Sequence, residues 1–255
     1  MENPPEPSTP FSQLIGIRTI YYNKLINMQI GSTEWKDIII CGAKYFAVQV
    51  GSGEAGKFSI HAGELIKWNS KTNLTAITDP FEVAVKHFLD SLAPARIIPP
   101  GSSMLDMGSG GGFPGIPLKI ILPSLSVSLV DSSRKKVSFL KHVIRTLGLE
   151  GINAFQARVE NLSENKERFD VVICRAFSSL DKFIESALPV LAENGIMIAL
   201  KGKISYKETE SARLSDNEKR GYITASGLLY DIEVVKYSLP YIDSERTLMV
   251  IKKLR

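Results

Sequence analysis

Cysteine is scarce: the 255-residue chain has two, Cys41 and Cys174. Two so far apart give neither a disulfide framework nor metal-ligand spacing. Both sit in apolar runs, which predicts buried thiols. Histidine is nearly as rare, with three in the chain, and their scatter shows no metal pattern. No apolar run approaches the roughly 18 residues of a membrane span. The opening Met-Glu-Asn-Pro-Pro-Glu-Pro is polar and proline-rich, unlike the basic start and apolar stretch of a secretory signal. A reducing, cytoplasmic setting with no membrane partner is therefore expected. Acids are missing from one stretch in particular. Between Asp131 and Glu150 stand Arg134, Lys135, Lys136, Lys141 and Arg145, with no acid among them. A net charge of +4 and a pI of about 8.9 permit a nucleic-acid partner without requiring one. The basic stretch reads either as a solvated helix face or as a phosphate-binding one. Cations in a first helical turn oppose the macrodipole, which a purely structural helix tends to avoid.

Three regions follow from patterning. Residues 1–32 are a poorly assigned tail, disordered over about the first ten residues. Residues 33–98 read as an N-terminal helical region. One helix is predicted over 33–50, with Trp35, Ile38, Ile39 and Ala43 on one face, broken by Gly51-Ser52-Gly53. A second is predicted over 59–71, with Trp68 in the core at a helix–sheet junction. A third starts at Asp79 as N-cap, Pro80 at N1 and Glu82 closing a capping box. His87 and Asp90, three apart on that helix, are expected to form a structural or docking pair. Residues 99–255 alternate strands with helices, which predicts a doubly wound α/β sheet. Its strands are read at 103–107, 126–130, 152–156, 169–174 and 195–200, closed by an antiparallel pair near 229–238 and 246–252. The polar stretch from Lys203 to Gly221 reads as a helix or a loop.

The most informative run is Met104-Leu-Asp-Met-Gly-Ser-Gly-Gly-Gly-Phe-Pro-Gly115. An apolar strand ends at Asp106, and Gly108, Gly110, Gly111 and Gly112 follow before a helix. Glycine allows a turn at φ > 0 and admits a ligand close to the backbone. Strand, glycine turn and helix start together form a nucleotide-cofactor cradle. Gly110-x-Gly112-x-x-Gly115 formally satisfies the dinucleotide pattern. A carboxylate at Asp106 suits a sulfonium cofactor better than a pyrophosphate, which it would repel. Asp106 could also anchor the turn through hydrogen bonds. One crossover later the strand Val127–Val130 ends in Asp131, a carboxylate able to accept from two vicinal ribose hydroxyls.

The phrase Asp106-x-Gly108-x-Gly110-x-Gly112 resembles the first motif of class I methyltransferases, which use S-adenosylmethionine. Lys67-Trp68-Asn69-Ser70-Lys71-Thr72-Asn73-Leu74-Thr75-Ala76-Ile77 and His87-Phe88-Leu89-Asp90-Ser91-Leu92 are similar to N-terminal motifs of the bacterial 16S ribosomal RNA (guanine-N7) methyltransferase G family, also called glucose-inhibited division protein B. Phe113-Pro114-Gly115-Ile116-Pro117-Leu118, Asp131-Ser132, Arg158-Val159-Glu160, Cys174-Arg175-Ala176-Phe177 and Leu200-Lys201-Gly202 continue the resemblance in order, from about residue 60 onward. Residues 1 to about 30 have no clear counterpart, and Cys174 and Val159 depart from the residues usual there.

The resemblance implies a class I (Rossmann-like) fold and methyl transfer to guanine N7 in the 530 loop of 16S ribosomal RNA. It implies 16S ribosomal RNA or the small subunit as partner, and a monomer is expected. It implies cofactor contacts at Gly108, Phe113, Asp131, Ser132, Ser133, Val159, Glu160 and Arg175, to which the loop itself adds Asp106 and Gly110. Phe113 could pack on the cofactor or cap the core beneath the loop. Val159 and Glu160 follow the third strand, where the adenine lies in this fold. Arg175 could meet the cofactor's carboxylate, an RNA phosphate or a structural partner. Arg134, Lys135, Lys136 and Lys201 are the candidate RNA contacts. No catalytic base is expected, because N7 bears a lone pair and no proton. Two other readings stay open. One is an assembly or RNA-binding factor that keeps the fold without the activity, or a methyltransferase with another acceptor. The other is an NAD-dependent dehydrogenase, for which nothing after residue 200 offers a catalytic acid or base.

Overall fold

A computed structural model describes residues 28–158, 167–175, 177, 179–202, 220–225 and 227–254. The expectations for residues 1–27 and 203–219 lie outside these. The described chain begins with α1, Thr33–Ala43, whose N-cap Ser32 accepts from Trp35 N. It stops well short of residue 50, in a 3₁₀ turn Lys44–Phe46 ended by Ala47 at φ 52°. Cys41 on α1 is exposed, against expectation, while Cys174 is buried. The apolar run around Cys41 is helical, so the thiol takes the face opposite Trp35 and Ile39.

Gly51-Ser52-Gly53 starts a helix instead of breaking one. α2 runs Ser52–Thr72, with Gly51 as N-cap and its N–H donating to Glu54 Oε2 at 3.0 Å. Glycine in the first turn costs little when the cap is made. Asn73, left-handed at φ 49°, ends α2. Trp68 is half-buried against the shared core, its ring 5.8 Å from Phe139 and 5.2 Å from His142 of the facing helix.

Residues 80–92 form α3. It opens with the turn Pro80–Glu82, winds as a π-helix over Val83–Leu89 and closes with Asp90–Leu92. Asp79 accepts from Glu82 N at 2.9 Å, so the N-cap is formed. The reciprocal half of the box is replaced by an ion pair of Glu82 with Lys86 at 2.5 Å.

Among the described residues, the core sheet has eight strands in the order β3-β2-β1-β4-β5-β8-β7-β6. β1 (Ser103–Met107), β2 (Ser126–Asp131), β3 (Ile152–Gln156), β4 (Phe169–Arg175) and β5 (Leu191–Lys201) pair in parallel. β8 (Glu245–Lys253), β7 (Leu228–Ser238) and β6 (Arg220–Ala225) extend it antiparallel. α4 (Gly115–Ile121) and α5 (Arg134–Thr146) are the crossovers among the first three strands. α6 (Leu180–Ala187) links β4 to β5.

The central strands are apolar on both faces, as parallel strands covered by helices must be. Along β4, Val171 and Ile173 join one cluster and Val172 and Cys174 the other. The first cluster takes in Trp35, Phe58, Leu65 and Phe88 from the N-terminal helices, with Leu140 and Val143 of α5. The N-terminal helices thus share a core with the sheet. Phe88 stands edge-on to both Trp35 and Phe113. Truncating a buried ring of this kind costs about 3–5 kcal/mol. Among the described residues, no helix is long and apolar enough to cross a membrane.

Candidate active site

At the carboxyl end of β1 the chain turns at Gly108, φ 77°, and again at Gly110, φ 54°, and Gly112, φ 88°. Hydrogen bonds pin each step of the turn. Gly108 N and Ser109 N donate to Val130 O, and Gly112 N and Phe113 N donate to Ser109 O. Ser109 Oγ donates to Asp106 O at 2.9 Å. The upper side of this loop is open. A Cβ built on Gly108 would meet nothing within 4 Å, and one on Gly110 only Gly108 O at 3.8 Å.

Asp106 lies below the loop, fully buried. Its Oδ2 accepts from Gly115 N at 2.9 Å, so this carboxylate caps α4 from within the protein. The leading N–H of α4 is therefore already taken, and the helix start is not free for a ligand. Gly115 is required at this spot, because a Cβ would come within 2.7 Å of Asp106 Oδ2 and 2.4 Å of Leu129 Cδ2. Burial pushes the Asp106 carboxyl up to about 7, against the pull of the Gly115 N–H, and Oδ1 has no partner.

Asp131 borders the open side. Its Oδ2 accepts from Gly110 N at 3.1 Å and its Oδ1 from Ser133 N at 2.8 Å. Each oxygen keeps a second lone pair. Ser132 is exposed, and Ser133 is the N-cap of α5. As a candidate RNA contact, Lys136 is expected to point away from the cradle with its neighbours. Instead its Nζ lies 3.9 Å from Asp131 Oδ2, while Arg134 and Lys135 are exposed. These residues fit an adenosyl group: an open glycine backbone beside a carboxylate with lone pairs to spare. Val159 and Glu160, expected at the adenine, lie outside the described residues.

Phe113 takes the inner of its two expected places. Its ring is 6% exposed and stacks between His61 and His87, beneath the loop. His87 and Asp90 do not pair with each other. His87 Nε2 is 2.8 Å from Thr75 Oγ1, and Asp90 Oδ1 accepts from Tyr237 Oη at 2.7 Å.

Arg175, at the end of β4, has a structural partner. Its Nη2 lies 2.9 Å from Asp90 Oδ2 and also donates to the backbone carbonyl of Lys86. Arg246 Nε approaches the other Asp90 oxygen at 3.8 Å. Burial beside Asp90 pushes the Tyr237 hydroxyl far up, so it stays a donor. Arg175, Lys201 and Arg246 line a cavity of about 380 Å³ with Asp90, Phe177, Leu200 and Gly202. Among the described residues, the charged groups of that lining are Arg175, Lys201, Arg246 and Asp90, with both arginines turned toward Asp90.

Sequence patterning does not single out His61, Arg246 or Tyr237. His61 falls at helical spacing among Phe58, Ala62 and Leu65, and that buried face is the one available signal. Arg246 and Tyr237 carry no local pattern.

Residues 54–227 match the family described as rRNA small subunit methyltransferase G. A protein of Geobacter metallireducens named ribosomal RNA small subunit methyltransferase G is 40% identical over 219 residues, 86% of this chain and 96% of that one. A namesake from Thermoanaerobacter sp. is 37% identical over 223 residues, 86% and 90% of the two chains. Among solved structures, a predicted O-methyltransferase from Agrobacterium tumefaciens superposes with a TM-score of 0.50 at 17% identity, covering 65% of this chain and 81% of its own. NSun6 from Pyrococcus horikoshii, solved with SFG, also gives 0.50, at 15% identity over 66% and 53% of the chains. These structural likenesses bear on the fold. The sequence matches settle the family: the chain belongs to the ribosomal RNA small subunit methyltransferase G family.

Proposed function

We propose that this protein transfers a methyl group from S-adenosylmethionine to N7 of a guanine in the 530 loop of 16S ribosomal RNA. The observation that carries this reading is the open glycine loop at the end of β1 with Asp131 on its border, in a chain of this family. When bound, S-adenosylmethionine supplies an electrophilic methyl group. Guanine N7 has a lone pair and no proton, so no residue has to act as a base. The residues' work is positioning, which converts an encounter into a near-attack geometry.

In this reading Gly108 and Gly110 offer backbone without side chains to the cofactor. Asp131 accepts from the ribose hydroxyls with its spare lone pairs, Ser132 and Ser133 flank it, and Val159 and Glu160 meet the adenine. Asp106 and Phe113 act from beneath, one holding Gly115 and the other filling the floor. The cationic cavity of Arg175, Lys201 and Arg246 receives an RNA phosphate beside the target base. Arg134, Lys135 and Lys136, in the first turn of α5, are the further candidate RNA contacts. Farther along, on the same helical face as Arg134, Lys141 and Arg145 line a shallow groove of about 560 Å³ along β3, one of the sheet's two outer strands.

The test is methylation of small subunits from cells lacking this protein, with labelled S-adenosylmethionine and the modified nucleotide mapped. One N7-methylguanine in the 530 loop is expected. Label elsewhere, or none while the protein still binds the subunit, would overturn the assignment.

A further inference from the structure

Beneath the glycine loop lies a three-ring stack that methyl transfer itself does not require. His61 from α2 and His87 from the π-helical part of α3 cover the two faces of Phe113. Their ring centroids lie 4.8 and 4.6 Å from it, at interplanar angles of 15° and 14°. Phe88 closes one side, edge-on to Phe113 at 5.3 Å and to His61 at 5.5 Å. His61 Nε2 is 2.8 Å from Gly111 O. A carbonyl only accepts, so that nitrogen carries the proton and Nδ1 is left a bare acceptor. Neither His61 Nδ1 nor His87 Nδ1 has a partner. Leu65 presses on the loop as well, since a Cβ on Gly111 would come within 2.9 Å of its Cδ1. The loop that is open above at Gly108 is thus held from below by α2 and α3.

A buried nitrogen left without a partner is destabilising. Leucine would fill both places without that cost. Both rings do what an aliphatic chain cannot: they stack flat on Phe113, and His61 also donates to the backbone of the loop. Burial keeps both neutral, with His61 pushed down to about 4 and His87 to about 3.

We propose that His61 and His87 are positioning residues for the cofactor, holding Phe113 and the Gly111 carbonyl so that the glycine loop keeps its binding shape before the cofactor arrives. This rests on reading the loop as the S-adenosylmethionine cradle. Rigidity of the free loop lowers the ordering cost of binding.

The experiment compares wild type, His61→Leu, His61→Gln and His87→Leu. Calorimetry with S-adenosylhomocysteine measures affinity. Amide hydrogen exchange of the ligand-free proteins measures the loop. His61→Leu should weaken S-adenosylhomocysteine by up to about tenfold, the upper range for one net hydrogen bond. His61→Gln, which keeps an N–H donor, should recover most of that. His87→Leu should act in the same direction as His61→Leu. The Gly112 and Phe113 amides, bonded to Ser109 O, should exchange faster in the leucine variants while β8 stays protected. In turnover, KM for the cofactor should rise more than kcat falls. Wild-type affinity and loop exchange in His61→Leu, or equal loss of protection throughout the fold, would reduce the stack to ordinary core. If wild type itself ignores S-adenosylhomocysteine, the reading of the cradle fails, and loop exchange in the ligand-free variants still decides whether the stack holds the loop.

Discussion

Replacing Asp131 separates two jobs that its carboxylate holds at once. It is 8% exposed and accepts one hydrogen bond per oxygen, from Gly110 N at 3.1 Å and Ser133 N at 2.8 Å. Lys136, 3.9 Å away with a third of its side chain exposed, adds at most about 1 kcal/mol. Asp131→Ala leaves both N–H groups half-exposed, where water replaces part of the missing bonding. We expect about 1.5–3 kcal/mol of lost stability, the worth of one hydrogen bond to a charged group. Cofactor affinity should fall by a further 1.5–3 kcal/mol or so, roughly tenfold to 150-fold, if the free lone pairs meet the ribose. Asp131→Asn keeps one acceptor oxygen for Ser133 N but turns an N–H₂ toward Gly110 N, so it should lie between. Urea unfolding and calorimetry with S-adenosylhomocysteine read the two effects separately. A stability loss with unchanged affinity in the folded fraction would leave Asp131 as a loop pin alone. No change in either would refute the whole account of this residue.

Other perturbations test the loop, the basic face and the buried titrating groups. Gly110→Asp should stay folded, losing about 1–2 kcal/mol, because φ 54° is left-handed and the space above is open. It should abolish detectable S-adenosylhomocysteine binding, and normal affinity would remove the inference that the ligand lies there. Gly115→Ala should destabilise by roughly 1–3 kcal/mol through overpacking against Leu129 and Asp106, with a lower urea midpoint as the readout. An unchanged midpoint would contradict the observed crowding. Changing Arg134, Lys135 and Lys136 to Gln should flatten the salt dependence of RNA binding by up to about two units of slope, at roughly 0.7 for each phosphate no longer neutralised. Since Lys136 also reaches Asp131, a small shift in cofactor affinity should accompany it, and wild-type turnover at every salt concentration would discard this footprint. Between about pH 4 and 6.5 the unfolded chain protonates both histidines while the fold holds them neutral near 4 and 3, so they make stability fall as pH drops. Asp106, held near 7, acts oppositely over the same window, because there the fold keeps a proton that the unfolded chain has released. Two against one means these three groups together raise stability by roughly 1 kcal/mol per pH unit from pH 5 to 6, and His61→Gln should remove most of their share of the slope.

The parts legible in sequence are those where the backbone dictates residue type. Gly108, Gly110 and Gly112 stand at positive φ, so the turn could be written in few other ways. β4 and β5 announce themselves by apolar runs that only a strand covered on both faces can use. β6 is hidden in the sequence because it is an outermost strand with Ile223 as its buried anchor, and it opens on Arg220 and Gly221. α2 reads too short because Gly51 and Gly53 signal a break unless the bond from Gly51 N to Glu54 is foreseen. The contacts around Asp90 are out of reach for a different reason. Tyr237 lies 147 residues away and Arg175 comes from another strand, and no local spacing encodes such a meeting.

His87 and Asp90 show how a local rule fails for a physical cause. Three residues apart on an α-helix they would share a face. α3 is π-helical up to Leu89, and Asp90 N donates to Val85 O, five residues back. Wider winding turns less of the circle per residue, so the two side chains splay. His87 goes under the glycine loop against Phe113, and Asp90 goes to Arg175 and Tyr237 at the cationic cavity. The Lys86 carbonyl, beside His87 in the chain, accepts from the same Arg175. A stretch of five residues therefore touches both the floor of the proposed cofactor cradle and the wall of the proposed phosphate pocket. Tightening that stretch to α-helical winding would rotate His87 and Asp90 toward a common face, and one of the two contacts would have to break. The π winding is what lets a single helix serve both.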